Sequence, residues 1–510
     1  MLYSLILTPF CGRMRGTMLF NSMQFAIFFP IAVLLYFLIP HKFRYLWLLV
    51  TSYFYYMCWN PRYALLLLLS TLITYISGLF IGQRSLSVKA KKWCVGISFF
   101  LNLSILFFFK YFDFLFTSIA DICDTLGITY SKPSFDVLLP VGISFYIFQA
   151  LSYTMDVYRG EIKPERNILK YALFVSFFPQ LVAGPIERSK NLLGQFDEVH
   201  YFQYDRVREG LIQMLWGFFL KLVIAERLAI TVNLIYGNYT ECTGYQLMIG
   251  TFAFAFQIYC DFASYSEIAI GSAKVMGFHL MENFRQPFFA DSCGDLWRRW
   301  HISLNTWFRD YLYIPLGGSR RGKVRKYVNL MIVFLTSGLW HGANWTYVIW
   351  GGLSGLFQII GAELAGVRAS LMKLMHMKPD GKVRLVLSVL FTFLLFNFSL
   401  IFFRSNTVTE ALCIVKKIFT EFGFASILTT SPFELGLGVK NFLFLAFSMV
   451  ILFFGDFCKE KYGTCGGSDT AIGRLTSSRW YVRWGFYYLL ILLILLSANL
   501  GSAEFIYFQF

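Results

Sequence analysis

Charge is scarce in this chain. Asp, Glu, Lys and Arg make up only 15% of its 510 residues, against about a quarter in soluble domains. A chain this poor in charge cannot clothe a soluble globule, so a soluble enzyme or soluble binding module is excluded. Acidic residues are the scarcer sign: 29 Asp and Glu face 45 Lys and Arg, a formal charge of +16. The ten cysteines show no metal-ligand spacing and no CxxC, which leaves buried packing thiols as their ordinary role. There is no internal repeat, no low-complexity tract, no soluble domain of useful size and no evident cleavable signal peptide. Strict apolar–polar alternation is also missing, which removes a membrane β-barrel.

Apolar residues fill the space these absences leave. They form 57% of the chain, with 58 Phe among them, and the mean hydropathy is +0.57. Continuous apolar runs fall at roughly 23–39, 46–58, 62–82, 93–117, 136–154, 168–185, 210–236, 246–276, 327–345, 346–366, 383–403, 438–457 and 484–500. At about 20 residues per span the expectation is an all-α polytopic membrane protein with roughly 11–13 membrane helices. The shorter or Pro/Gly-rich runs are expected to re-enter or lie at the interface.

The positive charge collects in four loop clusters: Arg84 to Lys92, Arg320 to Lys326, Lys373 to Arg384 and Lys459 to Arg483. All lie beside apolar runs, the positive-inside pattern of a cytoplasmic face, so no nucleic acid is expected. This orientation puts the 405–437 loop and the C-terminus outside the cytoplasm. It also places Cys458 and Cys465 inside, where a disulfide is not expected. Residues 1–17 read poorly as a span. Met18 is expected to open the native chain, or residues 1–17 to be a non-native or weakly ordered extension, with 18–510 forming a single transmembrane domain.

One region breaks the apolar pattern. Residues 277–326 crowd polar, aromatic and basic residues together, with Trp297, Trp300 and Trp307 at helical spacing among arginines. This composition predicts short helices at the interface or tucked into the protein, punctuated by Pro287, Pro315, Gly317 and Gly318. Ionisable residues at membrane depth are costly and mark candidate sites. His341, in "SGLWHGANWTYVIWG", lies about 14 residues or roughly 20 Å into its run. His301 lies in "WRRWHISL", and Asp261 and Glu267 lie in "QIYCDFASYSEIAIG". For His341, two readings stand: a packed imidazole bonding a neighbouring helix, or a neutral general base for a hydroxyl nucleophile. Asn344 would share its helical face. Asp261 reads either as a buried partner of an Arg or Tyr or as part of a substrate path. Arg298 and Arg299 read as headgroup or helix-end ligands, or as cations meeting an anionic donor such as a pantetheine phosphate.

The stretches "LWRRWHISLNTWFRDYLYIPLGG" and, some 20 residues later, "LTSGLWHGANWTYVIWG" resemble the membrane-bound O-acyltransferase (MBOAT) family. So do "FNSMQFAIFFPIAVLLYFLIP", "LPVGISFYIFQALSYTMDVYRGEI", "FPQLVAGPIER" and "YCDFASYSEIAIGSAKVMGF". The likeness is to the bacterial branch of alginate and peptidoglycan O-acetylation proteins and the D-alanyl transfer protein, and it runs from about residue 18 to the end. One departure is "DFASYSE" where relatives often read "DFSGYSD".

The resemblance implies a helical fold around a tunnel. The tunnel would be lined by Asp261, Asn344, Trp340, Trp300, Arg298, Arg299 and Asn305, with His341 as base and His301 in support and no metal. It implies an acetyl donor, acetyl-CoA before a carrier-protein thioester, and no bound cofactor. The acceptor would be an exported polysaccharide in the bacterial cell envelope, and the partner an extracytoplasmic SGNH-type esterase-like transferase at the bacterial cytoplasmic membrane. The C-terminal "FIYFQF" resembles a tail that carries an acyl group on tyrosine, which makes Tyr507 a candidate relay; a plain interfacial aromatic tail is the alternative. Two further alternatives are D-alanyl transfer to teichoic acid and, in a different class, a proton-coupled transporter using the same residues. No inverted repeats or matched broken helices support the transporter. A scaffold without chemistry is the last reading.

Overall fold

The computed structural model describes residues 18–497 apart from 134–138, 377, 379–380, 424, 426–429, 432, 434 and 464–468. The 1–17 extension, Cys465 and the tail bearing Tyr507 therefore lie outside the described residues. Among the described residues the protein is helical and contains no strand. The chain divides into two compact units, Met1–Met214 with Tyr265–Met281, and Leu215–Ser264 with Glu282–Phe510.

The first unit contains α1 (Met23–Leu38), α2 (His41–Met57), α3 (Tyr63–Ile81), α4 (Val88–Leu106), α5 (Phe112–Thr125), α6 (Ile143–Arg159), α7 (Ile168–Ser176), α8 (Phe178–Leu181) and α9 (Ser189–Leu192). A π-helical turn, Phe107–Tyr111, joins α4 to α5. Helix α6 is buried along nearly its whole length. Polar groups that would otherwise be orphaned tie the unit together. Tyr171 donates to Thr74 (2.7 Å), Ser70 to Asn102 (2.6 Å), and Ser189 to Asp156 (2.7 Å). A β-carbon at Gly78 would lie 2.5 Å from the Tyr153 ring, so this small residue sets how closely α3 approaches α6.

The chain crosses between units within α10 (Tyr204–Phe218) and again within α12 (Gly244–Met276). The second unit holds α11 (Glu226–Gly237), α13 (Cys293–Arg299), α14 (Ile302–Phe308), α15 (Lys323–His341), α16 (Trp345–Glu363), α17 (Ala365–Leu374) and α18 (Lys382–Arg404). It continues through α19 (Val408–Thr420), α20 (Val439–Tyr462), α21 (Ala471–Ser477) and α22 (Trp480–Ser497). A π-helical segment, Phe219–Ala225, joins α10 to α11. Helices α15 and α16 pack with their backbones nearly touching. A β-carbon at Gly338 would fall 2.3 Å from the Tyr347 carbonyl, and one at Gly351 2.3 Å from the Phe334 carbonyl.

Among the described residues six helices are long and apolar enough to cross a membrane: Tyr63–Ile81, Val88–Thr125, Gly244–Met276, Lys382–Arg404, Val439–Tyr462 and Trp480–Ser497. Counting the α16–α17 pair, bent by 56°, gives up to seven. The protein is thus a multi-pass membrane protein, but fewer helices pass than the 11–13 apolar runs suggest. The reasons are local. Helix α1 has 16 residues and α2 has 17, short of the roughly 20 a span needs. The 168–185 run breaks at Phe177 into pieces of nine and four residues. Helix α15 opens with Lys323, Arg325 and Lys326. The 405–437 stretch is not a plain loop, because Thr407 caps α19 by accepting from Glu410 N–H (3.1 Å).

Candidate active site

His301 and His341 come together. Their ring centroids are 6.2 Å apart, and the residues are 1% and 4% exposed. They arrive from different elements. His341 is the last residue of α15; Gly342 then turns extended, and a β-carbon there would lie 2.1 Å from the Tyr347 ring. The glycine after the histidine is therefore demanded by the return of the chain into α16. His301 occupies the joint between α13 and α14 with φ 44° and ψ 53°, a left-handed backbone that a non-glycine residue adopts at a cost of roughly 1–2 kcal/mol.

Two asparagines hold that joint. Asn283 accepts Ile302 N–H at its carbonyl (2.9 Å). Asn305 donates its amide to the carbonyls of Trp297 (3.0 Å) and Trp300 (2.5 Å), which closes the frayed end of α13. The side chain of Asn283 also fixes a proton. Its Oδ1 accepts from Ser303 N–H (3.3 Å) and Ser303 Oγ–H (2.9 Å), and lies 3.0 Å from His301 Nδ1. A backbone N–H can only donate, so this end of the carboxamide is the oxygen. An amide oxygen can only accept, so His301 carries its proton on Nδ1 and its lone pair on Nε2. Burial pushes the His301 pKa down to about 3, because the charged form would be desolvated. The imidazole is therefore neutral at physiological pH.

Aromatic rings enclose the pair. Trp340, Trp350 and Phe403 stand 5.1, 5.0 and 5.5 Å from the His341 centroid. Phe262 and Trp340 stand 4.6 and 5.7 Å from His301. Trp300 packs on Phe284 and Phe396 at 5.2 and 5.1 Å. The tryptophans of the 277–326 stretch are thus tucked into the protein. The enclosure has low dielectric, and a lone pair held there is a stronger acceptor than the same group in water.

The other expected residues have definite places. Asp261 forms a buried ion pair with Lys221 at 2.8 Å, both side chains at most 3% exposed; the partner is a lysine, not the Arg or Tyr expected. Lys221 lies on the π-helical segment, and Phe262, next to Asp261, is the ring on His301. Glu267, in the first unit, accepts from Gln213 (2.7 Å). Arg299 is held by Asp295 (2.6 Å) and Glu460 (2.7 Å), whereas Arg298 is 72% exposed. Asn344 does not share a helical face with His341, because α15 ends at His341. It caps α16 instead, accepting from Thr346 N–H (3.0 Å) and donating to the Asn406 carbonyl (2.8 Å).

Sequence reasoning missed Lys221, Asn283, Trp350, Phe403 and Asp456, which accepts from Tyr259 at 2.9 Å. Lys221 and Asp456 carried a usable signal, a charge within or at the end of an apolar run. Asn283, a neutral amide in a polar stretch, carried none.

Fold and site together define a polytopic helical membrane protein with an enclosed imidazole pair in which Asn283 sets the tautomer of His301. A family model for MBOAT, the membrane-bound O-acyltransferase family, matches residues 35–404. The chain belongs to that family, so it is an acyltransferase rather than a transporter or a scaffold. It is 42% identical over 348 residues to a probable alginate O-acetylase of Pseudomonas putida, covering 67% of this chain and 70% of that protein. It is 34% identical over 434 residues to a peptidoglycan O-acetyltransferase of Helicobacter pylori, covering 78% and 79%. A teichoic acid D-alanyltransferase of Bacillus subtilis matches at 28% over 237 residues, 43% of this chain and 58% of that protein.

Proposed function

We propose that the protein moves an acetyl group from acetyl-CoA across the bacterial cytoplasmic membrane for O-acetylation of an exported polysaccharide. The observation that carries this reading is the buried imidazole pair, a neutral His301 beside His341, on the residues by which the chain resembles its family. Acetyl is favoured over D-alanyl by the relatives named for acetylation, which match at 42% and 34% against 28%. His341 is the base and His301 its oriented partner. Arg298, whose side chain is exposed, is suited to meet the donor's phosphates, and Arg299, with Asp295 and Glu460, stiffens α13.

The acyl group passes through the C-terminal tail. The positive-inside pattern puts that tail outside the cytoplasm. The Tyr507 phenol attacks the thioester carbonyl, His341 takes the phenolic proton, the C–S bond breaks, and the CoA thiolate takes that proton back from His341 and leaves as thiol. An acceptor hydroxyl, presented by an extracytoplasmic SGNH-type transferase, then attacks the aryl ester and restores the phenol. Radiolabelled acetyl-CoA, incubated with purified protein in liposomes without acceptor, should leave one acetyl on the C-terminal peptide. Tyr507→Phe should abolish that label and polymer O-acetylation. Wild-type O-acetylation by Tyr507→Phe would overturn the relay. Absence of covalent acetyl transfer to any acceptor would overturn the acetyl-CoA reading.

A further inference from the structure

A cleft of about 700 Å³ opens on the second unit away from the histidines, between α16, α17 and α18. Its walls include Phe357, Ile360, Leu364, Val367, Leu371 and Phe391, with Phe391 62% exposed. Apolar walls exposed on a membrane helix meet hydrocarbon. Polar groups interrupt them at Ser292, Gln358, Arg368 and Thr392, and two of these bear on a ligand. The Gln358 amide oxygen is shielded from solvent and has no hydrogen-bond partner among the described residues. Arg368, on α17, lines the cleft and has no carboxylate partner among the described residues. Helix α17 departs from α16 by 56°, and Arg368 on it sets one cation among the apolar walls.

We infer that this cleft binds one anionic glycerophospholipid, with its phosphate on Arg368 and an acyl chain along α16 and α18. A neutral lipid would satisfy the walls but not the arginine. A soluble anion would satisfy the arginine but leave the walls wet. The Gln358 carboxamide can turn to donate its NH2 to a glycerol ester carbonyl, which gives its buried oxygen's position a partner. A cation near a lipid surface contributes about 1 kcal/mol per Lys or Arg, a preference of about fivefold for an anionic headgroup. Gly361 lines the cleft, and a β-carbon there meets nothing within 4 Å, so a large side chain at this position would extend into the space the lipid needs.

The test uses the full chain, purified from liposomes of equal parts phosphatidylglycerol and phosphatidylcholine and examined by native mass spectrometry. Wild type should retain one phosphatidylglycerol, about fivefold over phosphatidylcholine. Arg368→Glu should erase the preference, and Gly361→Phe should erase retention itself. Lys373→Glu, the same charge change on α17 at a residue that does not line the cleft, should leave retention intact. Inorganic phosphate and glycerol phosphate should not compete. Equal retention of both lipids by wild type, or equal loss in Lys373→Glu and Arg368→Glu, would overturn the site in favour of a diffuse field. Competition by free phosphate would reduce it to an anion site, and a chain dimer without lipid would give the cleft to a second copy. Should Gly361→Phe fail to fold, the Arg368→Glu and Lys373→Glu pair still decides.

Discussion

Two kinds of helix share the second unit. Helices α20 and α22 are long, apolar and only 22% buried over their hydrophobic windows. Helices α13 and α14 have seven residues each, yet they carry Trp297, Trp307 and Phe308, and the joint between them Trp300 and His301, all buried. The long helices face outward and are sustained by their own backbone hydrogen bonds, as lipid requires. The short ones leave backbone groups open at their ends: Asn305 donates to the carbonyls of Trp297 and Trp300, and Asn283 accepts the N–H groups of Ile302 and Ser303. The histidines lie where the regular helices stop, and a left-handed joint can aim an imidazole that a continuous helix would carry on its flank. Between these extremes stands α12, a long apolar span that is 72% buried and carries Asp261 inside it.

The comparison is sharpened most by removing the proposed base. His341→Ala should lower acetyl transfer by about 10²–10⁴-fold while insertion and detergent-extracted size stay normal. Near-wild-type turnover of reconstituted protein would show that the enclosed pair is packing alone. Next comes the ion pair. Lys221→Met leaves Asp261 buried without its cation, which typically costs about 3–5 kcal/mol. Thermal unfolding in detergent should register that loss, and adding Asp261→Asn should recover part of it by removing the stranded charge. If Lys221→Met alone unfolds like wild type, α12 behaves as an ordinary lipid-facing span.

A smaller effect is expected from the proton that Asn283 fixes. Asn283→Asp keeps an acceptor at His301 Nδ1 and adds a negative charge, which raises a neighbouring imidazole pKa by about 1–3 units. The wild-type His301 pKa is about 3, so the ring stays neutral through the usual assay range. Raising it brings protonation into that range from below, so the acid limb of the kcat profile should move upward by about 1–3 pH units. The sign for stability follows. A histidine whose folded pKa lies below its unfolded value of about 6.5 loses stability as pH falls from there toward the folded pKa, and the variant should lose less. An unmoved acid limb would mean that His301 does not titrate in the catalytic cycle.

Much of the contrast was legible beforehand. The apolar runs gave the long helices within a few residues, as at 383–403 against Lys382–Arg404, because continuous hydrophobicity and the helix-only rule in lipid leave few choices. His301 and His341 were legible because ionisable groups are rare at such positions. The pairing of Asp261 with Lys221 was only half legible: a lone charge announces that it has a partner but not which one, 40 residues away. Asn344 was misplaced because nothing in a single chain told "HGAN" as a continued helix from "HGAN" as a break. The reason is steric and lies in the partner, the Tyr347 ring against Gly342. The roles of Asn283 and Asn305 were not legible at all, since they depend on which N–H groups and carbonyls are left open by helices whose ends only the fold defines.

The smallest effect belongs to the long helices, and it tests the other side of the comparison. Leu495 on α22 is 66% exposed, while Leu490, five residues earlier, is fully buried. In water, exposing a leucine and burying one would differ through the hydrophobic effect. In a bilayer the exposed leucine already touches hydrocarbon, and lipid tails are about as apolar as its own side chain. Leu495→Ala therefore removes contacts that lipid replaces without leaving a cavity. Its effect on detergent-extracted stability and on acetyl transfer should stay within about 0.5 kcal/mol, the range of substitutions that touch nothing specific. Seventeen other residues keep α22 apolar enough to insert. A loss several times larger would mean that Leu495 meets protein in the membrane, and this face of α22 would then be an interface with a second chain.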